Sequence, residues 1–108
     1  MTPFTRGVLL IYDGTAHQCA RKSLAEALLY LELEPSVPRT VTVRAFTDKD
    51  QPMALDPRSI KWSADANVKV EPEKGSATVR VTPLNGDNHE LVVEAAGHAG
   101  QLKIRKKR

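Results

Sequence analysis

Very little of this chain is sulfur or aromatic. Its 108 residues include one cysteine, Cys19, and one tryptophan, Trp62, and aromatics make up only 5%. A single thiol cannot close a disulfide within the chain, which excludes the bridged sandwich of antibody domains and the disulfide-scaffold folds. No apolar run approaches the roughly 18 residues of a membrane-crossing helix, so insertion of that kind is not expected. The N-terminal apolar run Val8–Tyr12 has five residues behind one cation, Arg6. A secretory core needs roughly 7–15 apolar residues, so the product is expected to stay in the cytoplasm or be assembled from there. Internal repeats and low-complexity tracts are missing too. With 27% charged residues the composition is that of a globular chain, long enough for one core and too short for two.

The body also lacks an excess of one charge. Sixteen cations face 13 acids, for a net +3. Five of those cations, Lys103, Arg105, Lys106, Lys107 and Arg108, crowd the last six positions, and setting them aside leaves 11 against 13, a balance of −2. The body is therefore not a basic nucleic-acid platform. The cluster reads as a basic tail, either solvated or able to touch phosphate or an acidic neighbour.

Sets of residues that carry chemistry are equally thin. His17-Gln18-Cys19 offers two metal-type donors where a structural zinc site needs four, so no metal is expected. His89 and His98 fall at the two ends of one predicted strand and read as surface loop residues. There is no G-x-S-x-G elbow and no phosphate-cradling glycine loop. Glu32/Glu34 and Glu71/Glu73 lie two apart on strands, facing water or a cation, and Asp48/Asp50 is a D-x-D in a loop, a partial calcium set. Neither an enzyme nor a bound cofactor is expected.

What the chain does have is a two-residue rhythm. From residue 28 onward, apolar and polar positions alternate. The apolar sets are Leu29/Leu31/Leu33, Val41/Val43/Ala45, Ile60/Trp62, Val68/Val70, Val79/Val81, Leu91/Val93/Ala95 and Leu102/Ile104. Pro35, Pro38, the polar stretch 47–52, Pro72–Gly75, Asn85-Gly86 and Gly97–Gly100 punctuate them. Alternation of this kind marks strands with one buried and one wet face, and many short ones make a sandwich or barrel. Asn85-Gly86 predicts a tight hairpin. Residues 1–27 read differently. Val8-Leu9-Leu10-Ile11-Tyr12 is a continuous apolar strand stopped by Asp13-Gly14. Ala16–Leu29 is rich in helix formers, and Ser23 to Glu26 has the spacing of a capping box. The chain thus divides into an N-terminal strand or arm with a short helix, residues 1–27, and a β-sandwich over 28–108.

From Leu28 to Lys106 the sequence resembles the bacterial Ig-like domains found in intimin- and invasin-type adhesins and in phage structural proteins. The residues that carry the resemblance are Leu31-Glu32-Leu33-Glu34-Pro35, Thr40–Ala45, Ile60-Lys61-Trp62-Ser63-Ala64-Asp65 and Gly75-Ser76-Ala77-Thr78-Val79. It implies an all-β, Ig-like sandwich of about seven strands plus the extra N-terminal strand, with Trp62 on the third strand packed across the core. It also implies a non-enzymatic protein that works by docking. The leading expectation is a phage virion component, a capsid decoration or tail protein, bound to protein subunits of a larger assembly or to its own copies. A bacterial cell-surface or periplasmic adhesion module is the alternative, and a nucleic-acid-associated protein using the basic tail is a third. Candidate partner-binding residues are Val8, Leu9, Leu10, Ile11 and Tyr12, together with Lys103, Arg105, Lys106, Lys107 and Arg108. The first five either pair as an eighth strand on their own domain or add to a neighbouring subunit.

Overall fold

A computed structural model describes residues 7–19, 21–73, 77–95 and 97–106. Two sheets face each other. The first runs β1 (Gly7–Asp13), β3 (Arg39–Thr47), β7 (Thr78–Pro83) and β6 (Val68–Pro72), with the two-residue β4 (Pro52–Met53) also on β3. The second runs β2 (Tyr30–Leu33), β9 (His98–Lys106), β8 (Asn88–Ala95) and β5 (Lys61–Ala64). All pairs are antiparallel except β2 with β9. Without β2 and β4 this is the strand order of an Ig sandwich, four strands facing three. The expectation of an all-β, Ig-like sandwich holds.

The alternation predicts the core well. Leu31 and Leu33, Val41, Val43 and Ala45, Val79 and Val81, Leu91 and Val93, and Leu102 and Ile104 are all buried between the sheets. Trp62 is not the central residue that the resemblance implied. It sits half-buried on the edge strand β5, opposite Val93, and packs on the margin of the core. Leu29 also departs from the rhythm, because β2 begins one residue after it, and Leu29 stands 88% exposed. Asn85-Gly86 makes no hairpin. It lies in the crossover from β7 in one sheet to β8 in the other, with Gly86 at φ +88°. The antiparallel pair of consecutive strands is instead β8 with β9, with Ala95 opposite His98, and the expected loop Gly97–Gly100 is mostly strand, since His98 opens β9.

The N-terminal run belongs to this same sandwich. β1 pairs with β3 along its whole length, from Gly7 opposite Thr47 to Asp13 opposite Val41. Its continuous apolar character follows from burial on both faces. Leu9 and Ile11 point into the main core, while Leu10 and Tyr12 point outward into a second cluster with Cys19, Phe46, Leu24 and Ala27. That second cluster is roofed by residues 14–19 and 21–27, which we call the strap. The strap contains one helical turn, α1 (Ala16–Cys19), and a 3-10 turn, Leu24–Glu26. The expected capping box forms at this turn, with the Glu26 carboxylate accepting from the Ser23 N–H at 2.5 Å.

Several polar contacts pin the strap down. Thr42 Oγ1 donates to the Gly14 carbonyl at 2.8 Å, Thr78 Oγ1 lies 2.9 Å from Thr42 Oγ1, and the Ala16 N–H donates to Thr78 Oγ1 at 3.0 Å. The Tyr12 hydroxyl donates to the Ser23 carbonyl at 2.8 Å. The Arg44 guanidinium donates to the Lys22 carbonyl and lies over the rings of Phe46 and Tyr12, 4.9 and 5.5 Å from their centroids. Burial pushes both the Tyr12 phenol and the Cys19 thiol above their ordinary pKa values.

Candidate functional site

The loops that meet at one end of the sandwich are laced together by backbone hydrogen bonds. Ser36 N–H donates to Pro83 O at 2.8 Å, Leu84 N–H to Asn67 O at 2.7 Å, and Lys106 N–H to Asp87 O at 2.8 Å. The β2–β3 loop, the β5–β6 turn, the β7–β8 crossover and the end of β9 therefore converge. They enclose a pocket of about 180 Å³, walled by Leu33, Pro35, Pro83, Leu84 and Ile104 and rimmed by Arg105 and Lys106. Liquid water occupies roughly 30 Å³ per molecule, so this is space for about six waters or one side chain. It falls below the roughly 300–1,000 Å³ usual for small-molecule sites. Outside it, Leu84 is 47% exposed, and Val37 in the neighbouring loop is 46% exposed.

His89 forms part of the pocket lining. It is the second residue of β8 and shares the inward phase of Leu91 and Val93, which leaves its side chain 3% exposed. The expectation of a surface histidine is corrected here, because β8 begins before His89 and not after it. Its Nδ1 lies 3.0 and 3.2 Å from the two carboxylate oxygens of Asp65. Asp65 is positioned by its own turn, in which Oδ1 accepts from the Asn67 N–H at 2.9 Å. That backbone bond and the His89 contact together hold the Asp65 carboxyl below its usual pKa, so it is ionised at neutral pH. An ionised carboxylate only accepts, so Nδ1 carries the hydrogen. His89 Nε2 is buried and has no hydrogen-bond partner among the described residues. The signal for this pair was legible, since His89, Leu91, Val93 and Ala95 form one unbroken inward set. Its partner was not, because Asp65 is 24 residues away in sequence.

The two segments expected to face partners separate sharply. Leu9, Ile11 and Tyr12 are buried, Leu10 is half-buried under the strap, and only Val8 stands exposed. The open edge of β1 is also occupied. Ile11 O accepts from the Leu28 N–H at 2.9 Å, and Asp13 O accepts from Lys22 Nζ at 3.3 Å and from the Cys19 thiol at 3.5 Å. A Cβ on Gly100 of β9 would come within 2.8 Å of Leu9 O, so the two backbones meet closely there. Within the run Val8–Tyr12, Leu9, Ile11 and Tyr12 are thus built into the protein's own sandwich, and Val8 is the residue left at the surface.

The expected basic tail is in part a strand. Lys103, Arg105 and Lys106 all lie in β9, with β2 on one side and β8 on the other, while Lys107 and Arg108 lie outside the described residues. Lys103 is opposite Glu90, Arg105 is opposite Glu32, and Lys61 is opposite Glu94, so this outer face is a ladder of opposite charges. Arg105 also stacks 4.7 Å from the centroid of the Tyr30 ring, and Lys106 Nζ is 4.0 Å from Asp87.

The remaining sequence candidates do not converge. His17 is exposed while Cys19 faces the inner cluster. Glu71 sits opposite Arg80, with Lys69 Nζ at 3.8 Å. The Asp48–Asp50 turn is organised by Thr47 Oγ1, which accepts from the Lys49 and Gln51 N–H groups at 3.2 Å. Among the described residues no group of three or more His, Cys, Asp or Glu side chains is placed to hold a metal ion. None of the described helices is long and apolar enough to cross a membrane.

No protein-family model matches this chain, and no curated protein matches it. Among solved structures, the fold is similar to the crystal structure of the S-layer protein SbsC domains 4 and 5, with a TM-score of 0.57 at 9% identity. The likeness covers 95% of this chain and 54% of that one, so the chain spans about half the length of that structure. At this identity the likeness is one of fold.

Proposed function

We propose that this protein is a structural binding module that docks on protein subunits of a repeating assembly, its own copies included, without catalysing a reaction. The observation that carries the reading is the laced end of the sandwich. There, exposed Val37 and Leu84 flank a pocket sized for one side chain, on loops fixed by backbone hydrogen bonds. Loops tied together by backbone hydrogen bonds and presenting a small recess of mixed polarity suit recognition of a protuberance on another protein better than capture of a metabolite. The likeness to domains of an S-layer protein supports the same reading.

The finer reading is a virion component of the capsid-decoration or tail kind, and it rests on the resemblance to bacterial Ig-like domains in phage structural proteins. A cell-surface lattice or adhesion module is the second reading, and the S-layer likeness favours it. The nucleic-acid reading loses much of its basis, because Lys103 and Arg105 stand in a strand opposite carboxylates.

Immunogold labelling with an antibody to the purified protein tests the proposal in cells that carry the gene. Label on assembled particles supports the virion reading, and label on the envelope supports the surface reading. Diffuse label, together with a protein that remains monomeric and binds no particle or envelope fraction, overturns both.

A further inference from the structure

Asn85-Gly86 has hairpin chemistry but no hairpin to use it in, since it lies in the crossover from one sheet to the other. The dipeptide has a second chemistry. An asparagine carboxamide lies within reach of the backbone nitrogen of the next residue, and attack of that nitrogen on the carboxamide carbon closes a succinimide ring. A following glycine, with no side chain, leaves the approach open. Aspartate before glycine closes the same ring with water as the leaving group. The chain contains one sequence of each kind, Asn85-Gly86 and Asp13-Gly14.

The fold treats the two in opposite ways. At Asp13-Gly14 the attacking nitrogen is engaged, because the Gly14 N–H donates to Thr40 O at 2.9 Å. The Asp13 carboxyl accepts from Arg39 Nε at 2.8 Å and is thereby kept ionised, which makes it a poor electrophile. At Asn85-Gly86 both residues are exposed. Among the described residues, neither the Asn85 carboxamide nor the Gly86 N–H has a hydrogen-bond partner. The crossover is anchored on both sides of this pair, by Leu84 N–H to Asn67 O and by Lys106 N–H to Asp87 O, yet the pair itself is left unprotected. The other two asparagines are shielded. The nitrogen after Asn67 is that of Val68, which donates to Asp65 O at 3.2 Å, and Asn88 stands in β8 with the bulky His89 after it.

We propose that Asn85 is a self-modification site: in the folded protein its carboxamide is converted to a carboxylate through a succinimide with Gly86, while Asp13-Gly14 stays intact. The Gly86 nitrogen gives its proton to solvent and forms a bond to Asn85 Cγ. The Cγ–Nδ2 bond breaks, and the nitrogen takes up a proton from solvent and leaves as ammonia. Water then opens the ring. Cleavage of the new N–Cγ bond yields aspartate on the original backbone. Cleavage between the Asn85 carbonyl carbon and the Gly86 nitrogen yields isoaspartate, whose backbone runs through Cγ and is longer by a methylene. Either product adds a negative charge to the pocket lining that Asn85 shares with Lys106. Isoaspartate also lengthens the crossover between its two backbone anchors. This site goes beyond the docking reading and does not depend on it.

Purified protein is held at mildly alkaline pH beside synthetic peptides of residues 81–90 and 9–18. Peptide mass spectrometry and methyl transfer by protein isoaspartate methyltransferase follow the products. Asn85 in the intact protein should react within about threefold of its peptide, whereas Asp13 should react more than about tenfold more slowly than its peptide, because a hydrogen-bonded amide reacts only through local opening. The Asn85 product should be a mixture of isoaspartate and aspartate, and its rate should rise with pH as the attacking nitrogen loses its proton more readily. Asn85→Gln lengthens an exposed side chain, should keep the wild-type thermal midpoint, and should abolish both the mass gain and the methyl labelling at this position. Suppression of Asn85 by more than about tenfold relative to its peptide would show a site protected by the fold and would overturn the proposal. Product arising first at Asn67 or Asn88, or isomerisation of Asp13 at its peptide rate, would overturn it equally.

Discussion

β1 and β9 make an instructive pair. β1 lies at the edge of its sheet and is nonetheless buried on both faces, while β9 lies inside its sheet and keeps one face in water. Position in a sheet therefore does not decide exposure, but the side-chain rhythm does. A continuous apolar run such as Val8–Tyr12 asks for cover on two sides, and the strap supplies the second. The strict alternation Leu102-Lys103-Ile104-Arg105 asks for cover on one side only. Edge protection differs accordingly. β1 is shielded by Leu28, Cys19, Lys22 and the close approach of Gly100. β6, the opposite edge of the same sheet, relies on Lys69, Glu71 and Pro72, the charged and proline devices that discourage pairing with another chain.

The contrast can be broken first at the strap. Tyr12→Ala should cost about 3–5 kcal/mol, the range for an enclosed aromatic, and lower the thermal midpoint steeply. A loss under about 1 kcal/mol would mean that the strap does not cover β1. Trp62→Ala should cost less, about 2 kcal/mol, because Trp62 sits half-buried at the core margin; a loss equal to that of Tyr12→Ala would place the indole between the sheets after all. Arg44→Met should cost about 1–2 kcal/mol by removing the bond to Lys22 O and the contacts over two rings, measured by chemical denaturation.

Acid sharpens the comparison at the strap's start. Arg39 donates through Nε to Asp13 Oδ1 at 2.8 Å, and this pairing holds the Asp13 carboxyl below its ordinary value. A carboxyl whose folded pKa is depressed stabilises the fold above the unfolded value of about 3.9, and that contribution is lost as pH falls through the folded value. Asp13→Asn should therefore cost under about 1 kcal/mol at neutral pH, since the pair is part-exposed, and the difference from wild type should persist down to about pH 4 and fade as the pH falls further through the folded value. A difference that grows in acid would reverse the assignment. Smallest of all, Lys103→Gln on the wet face of β9 should change stability by no more than about 0.5 kcal/mol.

Much of this architecture was legible in the residues. The alternating sets from Leu31 to Ile104 specify strands, their faces and hence two sheets, because the side-chain period of a strand is two. Sequence spacing says less about which strand pairs with which. Asn85-Gly86 has hairpin chemistry, yet it sits between β7 and β8, whose inward faces belong to opposite sheets, and the positive φ of Gly86 serves a crossover instead. The basic tail is a matter of boundary. Lys103 and Arg105 occupy the polar phase of a strand whose apolar phase, Leu102 and Ile104, extends almost to the end of the chain. Of the candidate site, His89 was placed by its phase with Leu91 and Val93. Its partner Asp65 and the other pocket residues come together only because three connecting segments and the end of β9, all distant in sequence, are laced at one end of the sandwich.

The central claim, that the strap is an integral part of the fold sealing β1 from solvent, is tested most directly by the reactivity of Cys19. This thiol ends the strap's own helical turn and is fully buried against Tyr12 and Phe46, and burial raises its pKa. In native protein it should react with a thiol reagent only as fast as global unfolding permits, and the labelling rate should rise with denaturant along the unfolding curve. Rapid labelling in native buffer, at a rate insensitive to denaturant, would contradict the account.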